Sequence, residues 1–309
     1  MATVTGSPAP GAGSGGDEDG VMATKWVEGA RVRTLPNSVA PVIVGAAAAS
    51  VVDRFSWWAT ALALVVSVAL QVGVNYANDY SDGIRGTDSE RVGPVRLVGS
   101  GLATPKAVRL AAFGCFGVAC LAGLVLVALT GLWWMVAIGA VSVAAAWFYT
   151  GGSRPYGYSG WGEAAVFVFF GLVAVLGTEY VQAERITWLG AGGAVALGAF
   201  SAAVLVANNL RDVPTDRTSG KRTLAVRLGE RRTRTLYVVL VGVPFVVTVV
   251  AALGTPWMLL ALAAGALVVP SVRTVTGGRE GLALIPVLRD TGLAMLAWAL
   301  LASVAMALS

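Results

Sequence analysis

Long apolar runs separated by shorter polar segments dominate the chain. A helix that crosses a hydrocarbon core of about 30 Å needs roughly 20 mainly apolar residues, with a range of about 17–25. Nine segments fit this length: residues 35–52, 57–79, 107–130, 132–150, 162–182, 187–210, 234–254, 256–272 and 290–308. The pattern therefore predicts an all-α polytopic membrane protein, with nine transmembrane helices enclosing a central cavity.

Composition excludes an ordinary soluble domain. Of the 309 residues, 56% are hydrophobic and 13% are charged, whereas soluble globular proteins have about 25% charged residues. The chain has no histidine, which excludes histidine general bases, histidine metal sites and histidine haem ligation. Cys115 and Cys120 lie five residues apart in one apolar run. On a helix they point in different directions, so we expect them to pack without bridging.

The start of the chain has a different character from the rest. Residues 1–21 are mostly small and polar and are rich in glycine and proline. Such a segment cannot bury a hydrophobic core and is predicted to be disordered. We therefore predict a disordered tail over residues 1–21 and a transmembrane domain over residues 22–309.

Basic residues indicate how the predicted helices are oriented. With nine spans, 20 of the 22 Lys and Arg residues fall on the side of the membrane that holds the N-terminus, and only Arg54 and Arg185 fall on the other. Loops rich in Lys and Arg remain in the cytoplasm. The distribution therefore predicts a multi-pass protein of the plasma membrane, with its N-terminus, its long loops and the opening of its cavity on the cytoplasmic side.

A first polar cluster follows the second apolar run, in the stretch NYANDYSDGIRGTD at residues 75–88. Four of its residues have the spacing i, i+3, i+4, i+7: Asn75, Asn78, Asp79 and Asp82. On a helix these four positions share one face. Asp88 lies further along the same loop.

A second polar cluster follows the sixth apolar run, in NNLRDVPTD at residues 208–216. Asn209, Asp212 and Asp216 have the spacing i, i+3, i+7, and Asn208 lies beside them. Pro214 is expected to distort this turn, so the helical spacing is approximate here. Both clusters fall on the predicted cytoplasmic side.

The chemistry of the clusters points to diphosphate. Acids at a helix C-terminus oppose the helix dipole, and polar groups at membrane depth are costly, so a purely structural role is unfavourable. Carboxylate and amide oxygens suit Mg²⁺, which binds through one or two carboxylates plus substrate phosphate. Each cluster is followed by bases that could hold phosphate oxygens and stabilise a departing diphosphate. A diphosphate site beside an apolar chamber indicates a prenyl diphosphate substrate.

These arguments select four groups of candidate residues. The catalytic acids are Asp79, Asp82, Asp212 and Asp216. The magnesium ligands are Asn78, Asp82, Asp88, Asn208, Asp212 and Asp216. The diphosphate-binding bases are Arg85, Arg91, Arg96, Lys221 and Arg222. A pocket for the acceptor and the cation comprises Asn75, Tyr149, Tyr156 and Tyr158, although the three tyrosines also fit an interfacial aromatic belt.

The motifs also carry a family resemblance. NDYSDGIRGTD and DVPTD resemble the paired aspartate motifs of the UbiA superfamily of intramembrane aromatic prenyltransferases. Four segments are similar to the branch that acts on 1,4-dihydroxy-2-naphthoate: RVRTLPNSVAPVIVG, NDYSDGIRGTDSERVGPVRLV, FYTGGSRPYGYSGWGE and NNLRDVPTDRTSGKRTLAVRLG. In the first motif, Gly86 and Thr87 place Asp88 two residues beyond the commoner pattern of an acid at every fourth position.

The resemblance implies a reaction. Mg²⁺-dependent ionisation of a polyprenyl diphosphate gives an allylic cation. The ring of 1,4-dihydroxy-2-naphthoate attacks it at the carbon that bears the carboxylate, which leaves as carbon dioxide. The product is demethylmenaquinol, an intermediate of menaquinone biosynthesis.

Three other interpretations remain open. A related enzyme of the same superfamily would use 4-hydroxybenzoate or another acceptor. A secondary transporter would place acids or broken helices near the middle of its spans, whereas here the charges lie at one membrane face. A structural or chaperone-like membrane protein leaves both polar clusters unexplained. No nucleic-acid partner is expected.

Overall fold

The computed structural model describes residues 23–86 and 96–309, and no β-strand occurs in either range. All nine predicted segments contain a helix. The helices are α1 (Pro36–Ser50), α2 (Trp57–Arg85), α3 (Pro105–Thr130), α4 (Met135–Phe148), α5 (Gly162–Ala183), α6 (Trp188–Thr218), α7 (Glu230–Ala252), α8 (Pro256–Thr276) and α9 (Ile285–Ala307). The predicted all-α class is confirmed, while the predicted tail lies outside the described residues.

Seven of these helical segments are long and apolar enough to cross a membrane. The exceptions are α1 and α4, with 15 and 14 residues. The multi-pass membrane character is therefore confirmed, and the count of nine crossings stays a prediction. Shorter helical pieces lie before α1, at residues 23–29 and Val32–Thr34, and between later helices, at Tyr156–Ser159, Leu224–Leu228 and Gly281–Leu284.

Two helices continue well beyond their apolar runs. The apolar pattern predicts ends near residues 79 and 210, whereas α2 ends at Arg85 and α6 ends at Thr218. Helix α2 stops at Gly86, whose φ of 68° is left-handed and suits a glycine C-cap. Helix α6 passes through Pro214 without ending. The acid clusters therefore lie on the last turns of regular helices.

Helix α6 is the most buried of the candidate spans, with 72% of its apolar stretch inside the protein. Small residues allow neighbouring helices to approach it closely. A Cβ atom added to Gly171 on α5 would lie 2.6 Å from the Cα of Gly198 on α6. These two helices therefore meet backbone to backbone.

The rest of the interior combines large apolar side chains with a few hydrogen bonds. Trp298 is fully buried, and its Nε1 donates to Thr248 Oγ1 at 2.8 Å. The hydroxyls of Tyr237 and Thr291 lie 2.7 Å apart. Bonds of this kind join separate helices inside the bundle.

The two loops that carry Arg54 and Arg185 lie at the same end of the bundle. The backbone N–H of Ser56 donates to Gln182 Oε1 at 2.8 Å, which joins the start of α2 to the end of α5. The acids of α2 lie at its other end. Arg54 and Arg185 thus lie at the end of the bundle opposite to the acids of α2.

Candidate active site

A cavity of about 1140 Å³ lies among the helices. At one end its walls are polar, with Asp82, Asp216 and Lys221 among them. Further along, its walls are apolar and include Leu70, Val127, Phe169, Phe170 and Val173. The cavity can therefore hold a molecule with a charged head and a hydrocarbon tail.

Most of the predicted site residues meet at this cavity. Those in its lining are Asn75, Asn78, Asp82, Arg96, Tyr149, Tyr156, Tyr158, Asn208, Asp216 and Lys221. Four others lie near it but outside the lining: Asp79, Arg85, Asp212 and Arg222. Asp88 and Arg91 lie outside the described residues.

Asp82 is the centre of the first cluster and is only 3% exposed. Its Oδ1 accepts a hydrogen bond from the Tyr158 hydroxyl and another from Lys221 Nζ at 3.3 Å. Its Oδ2 lies 3.6 Å from Arg96 Nη1. Burying a carboxylate is costly unless it is paired and hydrogen-bonded, and these three partners offset that cost at Asp82.

Tyr158 connects this acid to the surrounding cations. Lys221 Nζ lies 4.5 Å from the centre of the Tyr158 ring, within the range of a cation–π contact. Burial raises the pKa of Tyr158 well above its ordinary value, and the nearby Asp82 carboxylate adds to the increase. Tyr158 therefore stays protonated and remains a donor to Asp82.

The other two tyrosines form a second aromatic wall. The rings of Tyr149 and Tyr156 pack edge to face, with centres 5.5 Å apart. The Tyr156 hydroxyl donates to the carbonyl of Ala145 at 2.8 Å, and burial raises the pKa of Tyr156 to about 12. All three tyrosines line the cavity.

The second cluster contains a residue that sequence reasoning missed. Arg211 Nε donates to Asp212 Oδ1 at 2.7 Å, and Arg211 Nη2 donates to Asp212 Oδ2 at 2.9 Å. Arg211 also lines the cavity. Its adjacency to Asp212 was visible in the sequence, but neighbouring helical residues do not normally face each other.

The turn that follows α6 joins the two clusters. The backbone N–H of Lys221 donates to the carbonyl of Asp216 at 2.9 Å, while the side chain of Lys221 reaches Asp82 on α2. Thr223 Oγ1 donates to Asp216 Oδ2 at 3.5 Å. Acids that are far apart in the sequence therefore share one polar site.

Three predicted site residues instead support the surrounding loops. The carboxylate of Asp79 accepts the backbone N–H groups of Leu97 and Val98, at 2.8 and 3.0 Å. The guanidinium of Arg85 donates to two carbonyls of the loop after α4, those of Thr150 and Gly152. Arg222 is exposed, and its backbone N–H donates to Tyr158 O at 2.9 Å. These contacts favour positioning over direct binding.

The asparagines of α2 are also held in place. Asn75 Nδ2 donates to the carbonyl of Ala30 at 2.8 Å and to Thr34 Oγ1 at 2.9 Å, so it fixes the segment before α1. Asn78 Oδ1 accepts from Thr150 Oγ1 at 2.7 Å. Both side chains still border the cavity.

Three further features escaped the sequence reasoning. Glu163 is buried at the start of α5, and its Oε1 accepts from Asn209 Nδ2 at 2.9 Å. Arg33 and Arg289 border the polar end of the cavity. Glu163 lies within the quoted GGSRPYGYSGWGE motif, which was the one signal available for it.

The profile of the UbiA prenyltransferase family matches residues 38–282. The chain belongs to the UbiA prenyltransferase family. The family resemblance carried by the paired aspartate motifs is therefore confirmed.

UbiA relatives of known name are similar over almost the whole chain. The chain is 60% identical to 1,4-dihydroxy-2-naphthoate octaprenyltransferase from Mycobacterium tuberculosis, across 92% of this chain and 97% of the relative. It is 38% identical to the Escherichia coli protein of the same name, across 86% and 89%.

Solved UbiA structures share the fold. A UbiA homologue from Archaeoglobus fulgidus, bound to GPP and Mg²⁺, superimposes with a TM-score of 0.65 at 12% identity, covering 92% of this chain and 99% of the homologue. The apo UbiA homologue from Aeropyrum pernix gives a TM-score of 0.67 at 12% identity, covering 90% and 98%.

The donor atoms at the polar end fit magnesium. Within residues 23–86 and 96–309, no group of three or more His, Cys, Asp or Glu side chains is arranged to hold a metal ion. Magnesium does not require such a group, because it usually binds through one or two carboxylates plus water and substrate phosphate. The carboxylates of Asp82 and Asp216 and the amides of Asn78 and Asn208 border the same cavity and provide hard oxygen donors of this kind.

Proposed function

We propose that this UbiA protein transfers a polyprenyl group from a polyprenyl diphosphate to 1,4-dihydroxy-2-naphthoate, with loss of carbon dioxide, in menaquinone biosynthesis. The observation that carries the proposal is the cavity with buried Asp82 and Lys221 at its polar end and apolar walls beyond. Relatives named for this reaction support the choice of acceptor, since one is 60% identical over 92% of the chain.

The diphosphate occupies the polar end of the cavity in this proposal. Lys221, Arg96 and Arg211 border that end and provide positive charge for phosphate oxygens. The residues that would hold Mg²⁺ are Asn78, Asp82, Asn208, Asp212 and Asp216. Magnesium bound there would neutralise negative charge on the leaving diphosphate.

The prenyl tail lies along the apolar walls. When its C–O bond to the diphosphate breaks, an allylic cation remains between these apolar walls. The rings of Tyr149, Tyr156 and Tyr158 border this region, and their faces can stabilise positive charge. The apolar walls also exclude water that would otherwise capture the cation.

The acceptor ring completes the reaction. A bond forms between the allylic carbon and the ring carbon that bears the carboxylate, and the C–C bond to that carboxylate then breaks. The electron pair of that bond restores the aromatic ring, and carbon dioxide leaves. This step needs no strong base at the attacked carbon, which agrees with a chain that contains no histidine.

The proposed location is the plasma membrane, with the polar end of the cavity facing the cytoplasm. The distribution of Lys and Arg supports this orientation, because 20 of 22 lie on the side predicted to be cytoplasmic. Water-soluble naphthoate and Mg²⁺ would then reach the site from the cytoplasm, and the prenyl tail would remain in the membrane.

Carboxyl-labelled 1,4-dihydroxy-2-naphthoate tests the proposal. The purified protein in lipid nanodiscs, given this acceptor and a long prenyl diphosphate, should release labelled carbon dioxide in proportion to the prenylated product, and only when Mg²⁺ is present. Product that keeps the label would exclude the decarboxylating reaction. Turnover of 4-hydroxybenzoate without turnover of the naphthoate would assign the protein to a different acceptor.

A further inference from the structure

Arg211 makes an unusual contact with the acid that follows it. Neighbouring residues of a helix point in different directions, yet the Arg211 guanidinium turns back and binds both oxygens of Asp212. The two side chains are 8% and 5% exposed. A bidentate arginine–carboxylate pair of this kind is among the stronger charge-assisted contacts.

The same guanidinium also binds Asn208. Arg211 Nη2 donates to Asn208 Oδ1 at 2.9 Å, in addition to its bond with Asp212 Oδ2. One side chain thus contacts three oxygen atoms, and all three belong to residues that would bind Mg²⁺ under the proposed function. A metal ion at these oxygens would repel the guanidinium and compete with it for the lone pairs that now accept its hydrogen bonds.

Arg211 also has access to the substrate. It borders the cavity, as Asn208 does, and its long side chain can turn without a change in the backbone. When Mg²⁺ takes the oxygens of Asp212 and Asn208, the guanidinium loses its partners inside a largely buried site. Under the proposed function, the diphosphate of the substrate lies at the same end of the cavity and is an anion with which the guanidinium can then pair.

We propose that Arg211 exchanges partners during substrate loading: it holds the oxygens of Asn208 and Asp212 in the metal-free protein, gives them up to Mg²⁺, and then binds the diphosphate. The inference rests on the proposed function, and it adds a diphosphate-binding residue within the second aspartate motif. Replacement of Arg211 should therefore make metal binding tighter and diphosphate binding weaker.

Binding measurements on the full-length protein in nanodiscs test this exchange without turnover. Mn²⁺ serves as a paramagnetic probe of the metal site in the absence of substrate, and a non-reactive prenyl thiodiphosphate serves as the probe of the diphosphate site in the presence of metal. Arg211→Gln should bind Mn²⁺ about threefold more tightly, because a competing cation is gone. It should bind the analogue about tenfold more weakly, because a charge-assisted contact is lost.

Arg217→Gln is the matched control. Arg217 follows Asp216 on the same helix, but it is exposed and lies outside the cavity lining among the described residues. Both affinities of this variant should stay within about twofold of the unaltered protein, as expected for an exposed charge. Larger changes of the same kind in this variant would show a general charge effect and overturn the specific role of Arg211.

Arg211→Lys keeps the charge and provides a second test if Arg211→Gln does not fold. An ammonium cannot contact three oxygens in the same fixed arrangement. Metal binding should therefore again become tighter and analogue binding weaker, each by a smaller factor than in Arg211→Gln. Metal affinity that does not rise, or analogue affinity that does not fall, in either folded variant would overturn the exchange. If the unaltered protein bound neither probe, the proposed function itself would fail.

Discussion

The two acid clusters look alike in sequence but are neutralised in different ways. Asp82, at the end of α2, takes its partners from distant parts of the chain: Tyr158 and Lys221 lie 76 and 139 residues away. Asp212, at the end of α6, is paired with the preceding residue, Arg211. The surroundings of Asp82 are therefore completed only when several loops assemble, whereas Asp212 is already paired within one helix.

Because of this difference, substitutions at the two acids should disturb the site in different ways. The partners of Asp82 come from separate loops, so any change there alters both charge and loop position. The partner of Asp212 comes from its own helix, so a change there alters charge with less effect on the rest of the bundle. Variants at the two clusters therefore test this contrast.

Removal of either acid charge should have the largest effect. Asp82→Asn and Asp212→Asn should each lower kcat by about 10²–10³-fold or more, because an amide cannot replace the charge that holds magnesium at the leaving group. The measurement is kcat at saturating Mg²⁺ for variants that elute as the unaltered protein does. Near-normal activity in either variant would contradict the proposed metal site.

Lys221→Ala should come next, because Lys221 is buried and borders the cavity. Loss of a charge-assisted contact to phosphate should weaken prenyl diphosphate binding by about 1.5–3 kcal/mol. The adjacent Arg222 is exposed and lies outside the lining, so Arg222→Ala is the matched control and should have little effect. A rise in the KM of the aromatic acceptor alone would place Lys221 in a different role.

Tyr158→Phe should have a moderate effect. The ring and its contact with Lys221 remain, and only the hydrogen bond to Asp82 is lost, which should lower kcat/KM by about tenfold for a bond to a charged group. Because the pKa of Tyr158 lies above its ordinary value, the hydroxyl stays protonated as the pH rises to about 10.

The pH dependence checks this assignment. The activity ratio between the unaltered protein and Tyr158→Phe should stay constant from about pH 8 to pH 10, since the donor keeps its proton over that range. A ratio that falls toward one as the pH rises would show that Tyr158 ionises at its ordinary pKa and would contradict the buried hydrogen bond.

Asp79→Asn should have the smallest effect on chemistry. Asp79 fixes the backbone at Leu97 and Val98, directly after Arg96, so its loss should raise the KM for prenyl diphosphate a few-fold and lower stability by about 1–3 kcal/mol. The Mg²⁺ concentration for half-maximal activity should not change. A large rise in that concentration would instead identify Asp79 as a metal ligand.

A matched variant separates this effect from a general loss of stability. Glu179 is also fully buried, and it accepts the backbone N–H of Thr187 at 2.7 Å. It lies near the end of α5, away from the acid clusters. Glu179→Gln should lower thermal stability in a similar way while the KM for prenyl diphosphate stays unchanged.

Apolar runs were sufficient to predict the helices, because a membrane leaves few alternatives for segments of this length. They could not predict the ends of α2 and α6, since polar residues continue both helices after the apolar run stops. The spacing of the first cluster predicted a shared face but could not separate Asp79 from Asp82. That separation depends on Leu97 and Lys221, which lie far from α2 in the sequence.

Other features depend on packing that no local pattern contains. The contact of Arg85 with the loop after α4 joins residues more than 60 positions apart. The pair of Arg211 and Asp212 is local, but it contradicts the usual directions of neighbouring helical side chains. Glu163 and Asn209 were both visible in quoted motifs, yet only the fold brings them together.

The close approach of α5 to α6 affects which prenyl tails the cavity can hold. The distance between these helices is set by hydrogen atoms at Gly171 and Gly198, where even one methyl group would meet backbone. On the same helix as Gly171, Phe169 and Val173 form part of the cavity wall. The width of the cavity is thus set partly by glycines that do not contact the prenyl tail. We expect relatives that differ at these glycines to accept prenyl tails of different width or length.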